Sequence, residues 1–163
     1  MVRADHAADL WMRTALPVLA MTLLAGCSGE TTSRLATPVE ITGDEITAPL
    51  LGLQGDAVRG ETVFADREQG HCVLCHAVEG LDAEFQGNVG PALTGVDARL
   101  NEGQIRLRVA DIQSLWPDTL MPSYYRSGGL NQVAPAYAGE PALTAQQIED
   151  LVAYLGKLDG ERT

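Results

Sequence analysis

Two cysteines and a histidine fall within five positions of "GHCVLCHA", residues 70–77, in a chain with three cysteines and three histidines in all. Cys72 and Cys75 stand three apart and His76 follows at once, so in a helical turn the three side chains share one face. Three chemistries use such a cluster. A thiol pair makes and breaks a disulfide, two thiolates and an imidazole make most of a zinc site, and two thioethers with an imidazole attach a haem. The dithiol reading wants a preceding strand in a βαβ context, which the sequence does not show. Zinc wants four ligands, and the nearest extra, His71, is pinned beside Cys72 by the chain. Neither reading gives His76 a task. C-x-x-C-H is the pattern of c-type haem attachment, so the motif predicts one covalent haem c on Cys72 and Cys75, with His76 reaching the iron.

An iron that carries electrons without binding outside ligands needs a second axial group. Met1, Met12 and Met21 lie in an N-terminal segment that reads as a leader, which leaves Met121 as the only methionine after it. Met121 sits in "PDTLMPSYY", where Pro122 stiffens the backbone directly behind the side chain that must face the metal. A thioether there raises the reduction potential relative to two histidines. His71, one residue before Cys72, belongs to the proximal side and is expected at the surface or near the propionates.

The leader is an uncharged run, "TALPVLAMTLLAG", residues 14–26, too short to span a bilayer and of signal-peptide length. It ends in Leu24-Ala25-Gly26-Cys27, which resembles the bacterial lipobox. That resemblance implies a signal peptide over 1–26, a lipidated Cys27 as first mature residue and, with Ser28 following, outer-membrane sorting of a periplasmic protein. Residues 1–26 hold two arginines and two aspartates, so their removal leaves the net charge at −11. An acidic surface argues against nucleic acid and for basic protein partners. The acidic pair Asp82 and Glu84 could face such a partner or be a solvated face.

From residue 27 to 53 the chain is rich in Thr, Pro, Gly and acids and shows no sustained period, so it reads as an acylated tether; fully flexible, it would span roughly 30 Å. Its apolar "ITAPLLGL" has the alternative of docking on the domain. Residues 54–160 read as a single all-α domain. Gly55-Asp56 caps "AVRGETVFADRE", on which Gly60 and Phe64 share a face. A second helix is expected over "GQIRLRVADIQ", capped near Asn101 and stopped before Pro117. The third, "LTAQQIEDLVAYLGKL", opens with a Thr144/Gln147 capping box and carries an Ile148, Leu151, Val152, Leu155 stripe; Lys157 suits its last turn and Gly160 its terminus.

The haem motif, the glycine and aromatic positions and the last helix together resemble the class I cytochromes c. That resemblance implies short helices wrapped around one covalent haem, with Gly60 and Phe64 crossing Leu151 and Tyr154. It also implies that the carbonyl of Pro91, in "GNVGPALTGV", accepts the Nδ1–H of His76. A narrower resemblance lies in residues 120–158, "LMPSYYRSGGLNQVAPAYAGEPALTAQQIEDLVAYLGKL", which are similar to the SoxX cytochromes, small subunits of SoxAX sulfur-oxidation complexes. This implies a heterodimer with SoxA that joins thiosulfate oxidatively to a cysteine of the carrier SoxYZ, the chemistry occurring on SoxA while the SoxX subunit passes electrons to a downstream acceptor. With all three cysteines assigned, no thiol here is left to act as a nucleophile, so no catalytic residue is expected in this chain. The alternative is a lipid-anchored monohaem carrier serving a terminal oxidase or another dehydrogenase.

Overall fold

Asp56 opens the first helix as its sequence position predicts: its carboxylate accepts the Arg59 N–H at 2.9 Å, and α1 runs Ala57–Ala65. The computed structural model describes residues 34–158. In it α2 spans Glu102–Asp111 behind a complete Asn101/Gln104 capping box, and α3 spans Ala145–Leu155 behind the Thr144/Gln147 box. Each box satisfies two N–H groups that a helix start otherwise leaves unpaired. The third helix stops sooner than expected. Gly156 is its C-cap at φ −72°, an ordinary conformation, and Gly160 lies outside the described residues.

The stripe Ile148, Leu151, Val152 and Leu155 is buried together with Tyr154, and it packs on Val63 and Phe64 of α1. The two helices touch at Gly60, where a Cβ would stand 2.0 Å from the Asp150 carbonyl oxygen and 2.7 Å from the Tyr154 Cβ. Only glycine permits that approach. One turn on, the Phe64 and Tyr154 rings meet at 5.6 Å between centroids and 53° between planes. A tilted pair of this kind adds about 0.5–1.5 kcal/mol beyond the area it buries.

Asp150 fastens the same crossing. Its buried carboxylate accepts the Asp56 N–H, two guanidinium N–H groups of Arg59, each at 2.8 Å, and the Gln146 amide at 2.9 Å. Burial works to raise its pKa, but the Arg59 and backbone hydrogen bonds prevail and hold it below the ordinary value. A carboxyl more acidic in the folded than in the unfolded state stabilises fully above its unfolded pKa, about 4 for aspartate. That contribution disappears as pH falls through the lower, folded value. Acid unfolding followed by circular dichroism is therefore expected to show a slope below about pH 4 that is shallower in Asp150→Asn.

The flexible tether expected over 27–53 does not extend through its described part, 34–53. Ile46 and Leu50 are each 1% exposed and Leu35 is buried as well. The Ala36 N–H donates to the Tyr125 carbonyl at 2.9 Å and the Ile46 N–H to the Gly103 carbonyl at 3.1 Å. The segment is an arm laid on the domain, as its apolar alternative allowed. Loop partners and side chains, not a regular element, satisfy its backbone, and hence no periodicity announces it. The leader over 1–26 and Cys27 lie outside the described residues. Among those described there is no strand, only the isolated bridges Leu35 with Arg126 and Thr42 with Glu45. No helix there is long and apolar enough to cross a membrane.

Candidate haem site

The cysteine motif folds as a single tight turn. Cys72–Leu74 form one turn of 3-10 helix, and the Cys72 carbonyl accepts the N–H groups of Cys75 at 3.1 Å and His76 at 2.9 Å. Entry to the turn is made by His71 in the left-handed region at φ 57°. The turn brings Cys72, Cys75 and His76 to one wall of a cavity of about 790 Å³. That volume falls within the range for small-molecule and cofactor sites.

A short ladder then positions the histidine. The N–H groups of Gly87, Gly90 and Leu93 donate to the carbonyls of Val73, Cys75 and Ala77 at 2.8, 2.9 and 2.9 Å, so residues 87–93 are zipped along the back of the motif. This delivers the Pro91 carbonyl to 2.8 Å from His76 Nδ1. A carbonyl only accepts, so Nδ1 carries the proton and Nε2 keeps a free lone pair, the state of a metal-binding imidazole. Gly90 leaves the ring its room: a Cβ there would stand 2.3 Å from the His76 Cε1. Gln86 braces the loop from the other side, accepting the Val78 N–H at 2.7 Å and donating to the Leu81 carbonyl at 3.3 Å.

Met121 lines the same cavity and is half-buried; its N–H donates to the Thr119 hydroxyl at 3.2 Å. All five residues expected around the haem, Cys72, Cys75, His76, Pro91 and Met121, therefore border one space. His71 borders it too, exposed beside Cys72. Asp82 and Glu84 are exposed on the loop after the motif.

Two residues escaped sequence reasoning. Arg99 and Arg108 both line the cavity, Arg99 donating to the Gly95 and Ala92 carbonyls and Arg108 lying 5.4 Å over the Trp116 ring while pairing with Asp44 at 3.0 Å. Two guanidinium groups at the edge of an otherwise apolar space suit a flat, greasy ligand with an anionic rim. Arginine eight residues past a Gly-Pro turn, or in the last turn of an amphipathic helix, carries no signal that distinguishes a ligand contact from a solvated charge.

The competing chemistries fit poorly. Burial pushes the Cys72 thiol up to about 12, whereas thiol–disulfide chemistry at neutral pH needs a lowered value. Among the described residues no group of three His, Cys, Asp or Glu side chains is placed to hold a bare metal ion. A haem fits the residues present: two thiols and an oriented imidazole on one wall, a thioether on the loop that closes the cavity, and apolar side chains such as Leu93, Val109 and Leu155 between them.

Comparison with known proteins agrees. The sequence pattern of the family described as cytochrome c matches residues 57–159. Among solved structures, the chain is similar to one of SoxXA from P. pantotrophus, at 32% identity and TM-score 0.70, covering 77% of this chain and 97% of that one. The c-type cytochrome SorU from Sinorhizobium meliloti follows at 23% identity and TM-score 0.42, over 64% of this chain and 91% of that one. Cytochrome c2 from Paracoccus denitrificans aligns at 20% identity and TM-score 0.36, over 64% and 97%. A search of curated protein sequences returns no match. Turn, cavity and comparison converge, and the chain belongs to the cytochrome c family, as a SoxX-like class I cytochrome c that binds haem c covalently and transfers electrons.

Proposed function

We propose that the chain is the SoxX subunit of a SoxAX complex, held in the periplasm by lipid on Cys27 and relaying electrons released when thiosulfate is joined to the SoxYZ carrier. The observation that carries this reading is the likeness to SoxXA, which runs over 97% of that chain at 32% identity. The sequence "LNQVAPAYAGEPALT", residues 130–144, is the second support, because it resembles an insertion of the SoxX cytochromes.

Cys72 and Cys75 would hold the haem through thioethers, and His76 and Met121 would supply a nitrogen and a sulfur ligand to its iron. Bound there, the haem supplies a one-electron couple. The Pro91 carbonyl fixes the His76 tautomer and raises the basicity of the ring. The Met121 thioether favours the ferrous state. Apolar walls keep water from the space between these two side chains.

The proposed reaction balances without a nucleophile in this chain. A SoxYZ cysteine thiol loses its proton, an S–S bond forms to the terminal sulfur of thiosulfate, and two electrons leave. They pass singly through this subunit to a downstream acceptor, since one haem accepts one electron at a time.

Two measurements test the proposal. In Met121→Ala the iron is expected to bind cyanide or carbon monoxide, and the long-wavelength charge-transfer band of the ferric form to vanish; an unchanged spectrum removes Met121 from the ligand set. For the complex, SoxA is expected to co-purify with the chain, and thiosulfate with SoxYZ to reduce the haem only when SoxA is present. Failure of the SoxA test leaves a lipid-anchored monohaem carrier serving a terminal oxidase or another dehydrogenase.

A further inference from the structure

The segment that carries Met121 belongs to no regular element, yet a ligand to a metal must be held to within a fraction of an ångström. Its N-terminal side is tied locally, Thr119 N–H to the Trp116 carbonyl at 3.1 Å. Its C-terminal side is tied to a buried charge. Asp111, the last residue of α2, is 5% exposed, and its Oδ1 accepts the Ser123 hydroxyl at 2.7 Å. Arg126 Nε approaches the same oxygen to 2.6 Å, an ion pair by proximity rather than an aligned hydrogen bond. Ser123 Oγ in turn receives the Gln113 N–H at 3.4 Å, and the Asp111 carbonyl receives the Ser114 hydroxyl at 2.7 Å. From there the backbone is stitched to α2, with Tyr124 N–H on the Val109 carbonyl and Tyr125 N–H on the Ala110 carbonyl.

Between the pinned Ser123 and Met121 stands only Pro122, whose ring locks φ. Where Ser123 is fixed, the Met121 backbone has little freedom left.

We propose that Asp111, acting through Ser123 and with its charge balanced by Arg126, is the positioning residue for the distal methionine and sets how firmly Met121 closes the sixth coordination position. A buried ion pair brings little net stability, because desolvation offsets most of the attraction. Its directional bonds define one register for a segment without secondary structure. Asp111 touches neither iron nor haem edge in this role. The inference rests on Met121 as axial ligand.

The test uses full-length protein loaded with haem, and reads cyanide affinity and the ferric charge-transfer band. Loss of one buried hydrogen-bond partner is expected to tighten cyanide binding about tenfold in Ser123→Ala, and at least as much in Asp111→Asn, with a weakened band in both. The double variant is expected to match the more severe single one, since both act on one network. Asp56→Ala, which removes the α1 cap and no bond to this loop, is expected to lower stability with cyanide affinity unchanged. If Asp56→Ala tightens cyanide binding as Ser123→Ala does, the effect is general loosening and the proposal falls. Met121→Ala in the same assay separates the two readings. If it leaves cyanide affinity unchanged, the ligand assignment fails, and the positioning role with it. If it binds cyanide tightly while Ser123→Ala behaves as wild type, only the positioning role is overturned. Should Asp111→Asn fail to take up haem, Ser123→Ala alone decides.

Discussion

Gly90→Ala is expected to yield a folded protein in which His76 is out of place. The new Cβ would lie 2.3, 2.6 and 2.8 Å from Cε1, Nδ1 and Nε2 of His76, far inside van der Waals contact. The backbone at residue 90 cannot retreat, because its N–H is bonded to the Cys75 carbonyl at 2.9 Å within the ladder that carries residues 87–93. The ring must therefore move, and it leaves the Pro91 carbonyl that now sits 2.8 Å from Nδ1. Loss of such an orienting bond typically weakens a metal ligand about 10–100-fold. With His76 as a proposed iron ligand, a second exogenous imidazole, beyond the one that takes the weaker Met121 position, is expected to replace it at concentrations lower by about that factor. Visible spectroscopy during an imidazole titration reads the change. Gly128→Ala is the matched control, because a Cβ there meets nothing closer than the Arg34 carbonyl at 3.9 Å, and it is expected to titrate like wild type. Equal behaviour of the two variants would mean that the glycine at 90 is not there for the imidazole.

Glu149→Ala is expected to cost about 3–5 kcal/mol of stability, the usual result of stranding a buried charge. The partner is Arg106, and each side chain of the pair is 3% exposed. Arg106 Nε stands 2.8 Å from Oε1 and 3.1 Å from Oε2 of Glu149, with Nη2 3.0 Å from Oε2. The pair also grips the arm. Arg106 Nη1 donates to the Ile46 carbonyl at 2.8 Å, and Glu149 Oε1 accepts the Leu50 N–H at 2.8 Å. Removing Glu149 thus abandons a guanidinium in the core and leaves one backbone N–H unpaired where α2, α3 and the arm meet. Arg106→Met combined with Glu149→Leu is expected to recover a large part of the loss, because it buries no lone charge. Denaturant unfolding of the haem-loaded proteins measures both. A single variant as stable as wild type would show that water reaches the pair.

Much of the local structure was legible because it is governed by neighbours in sequence. Asp56, Asn101 and Thr144 start helices with side-chain bonds to residues three positions on, so a reader of the chain alone finds each start. The cysteine motif is equally local, since its spacing alone sets two thiols and an imidazole along one wall. The arm over 34–53 reads as tether from the sequence, with docking left open only for its apolar 46–53, because its buried residues, Leu35, Ile46 and Leu50, follow no period. What buries them is a surface assembled from α2, α3 and the Met121 loop.

By itself, then, the sequence determined the haem chemistry, the helix starts and the identity of the one methionine after residue 26, all consequences of residue type and short-range spacing. Only the tertiary structure decided that Arg99 and Arg108 border the cavity, and that a carboxylate ending α2 holds the methionine loop through Ser123. The reason is physical. Hydrogen bonds between residues distant in the chain depend on how separate elements pack, and packing is a property of the whole core that no window of sequence contains.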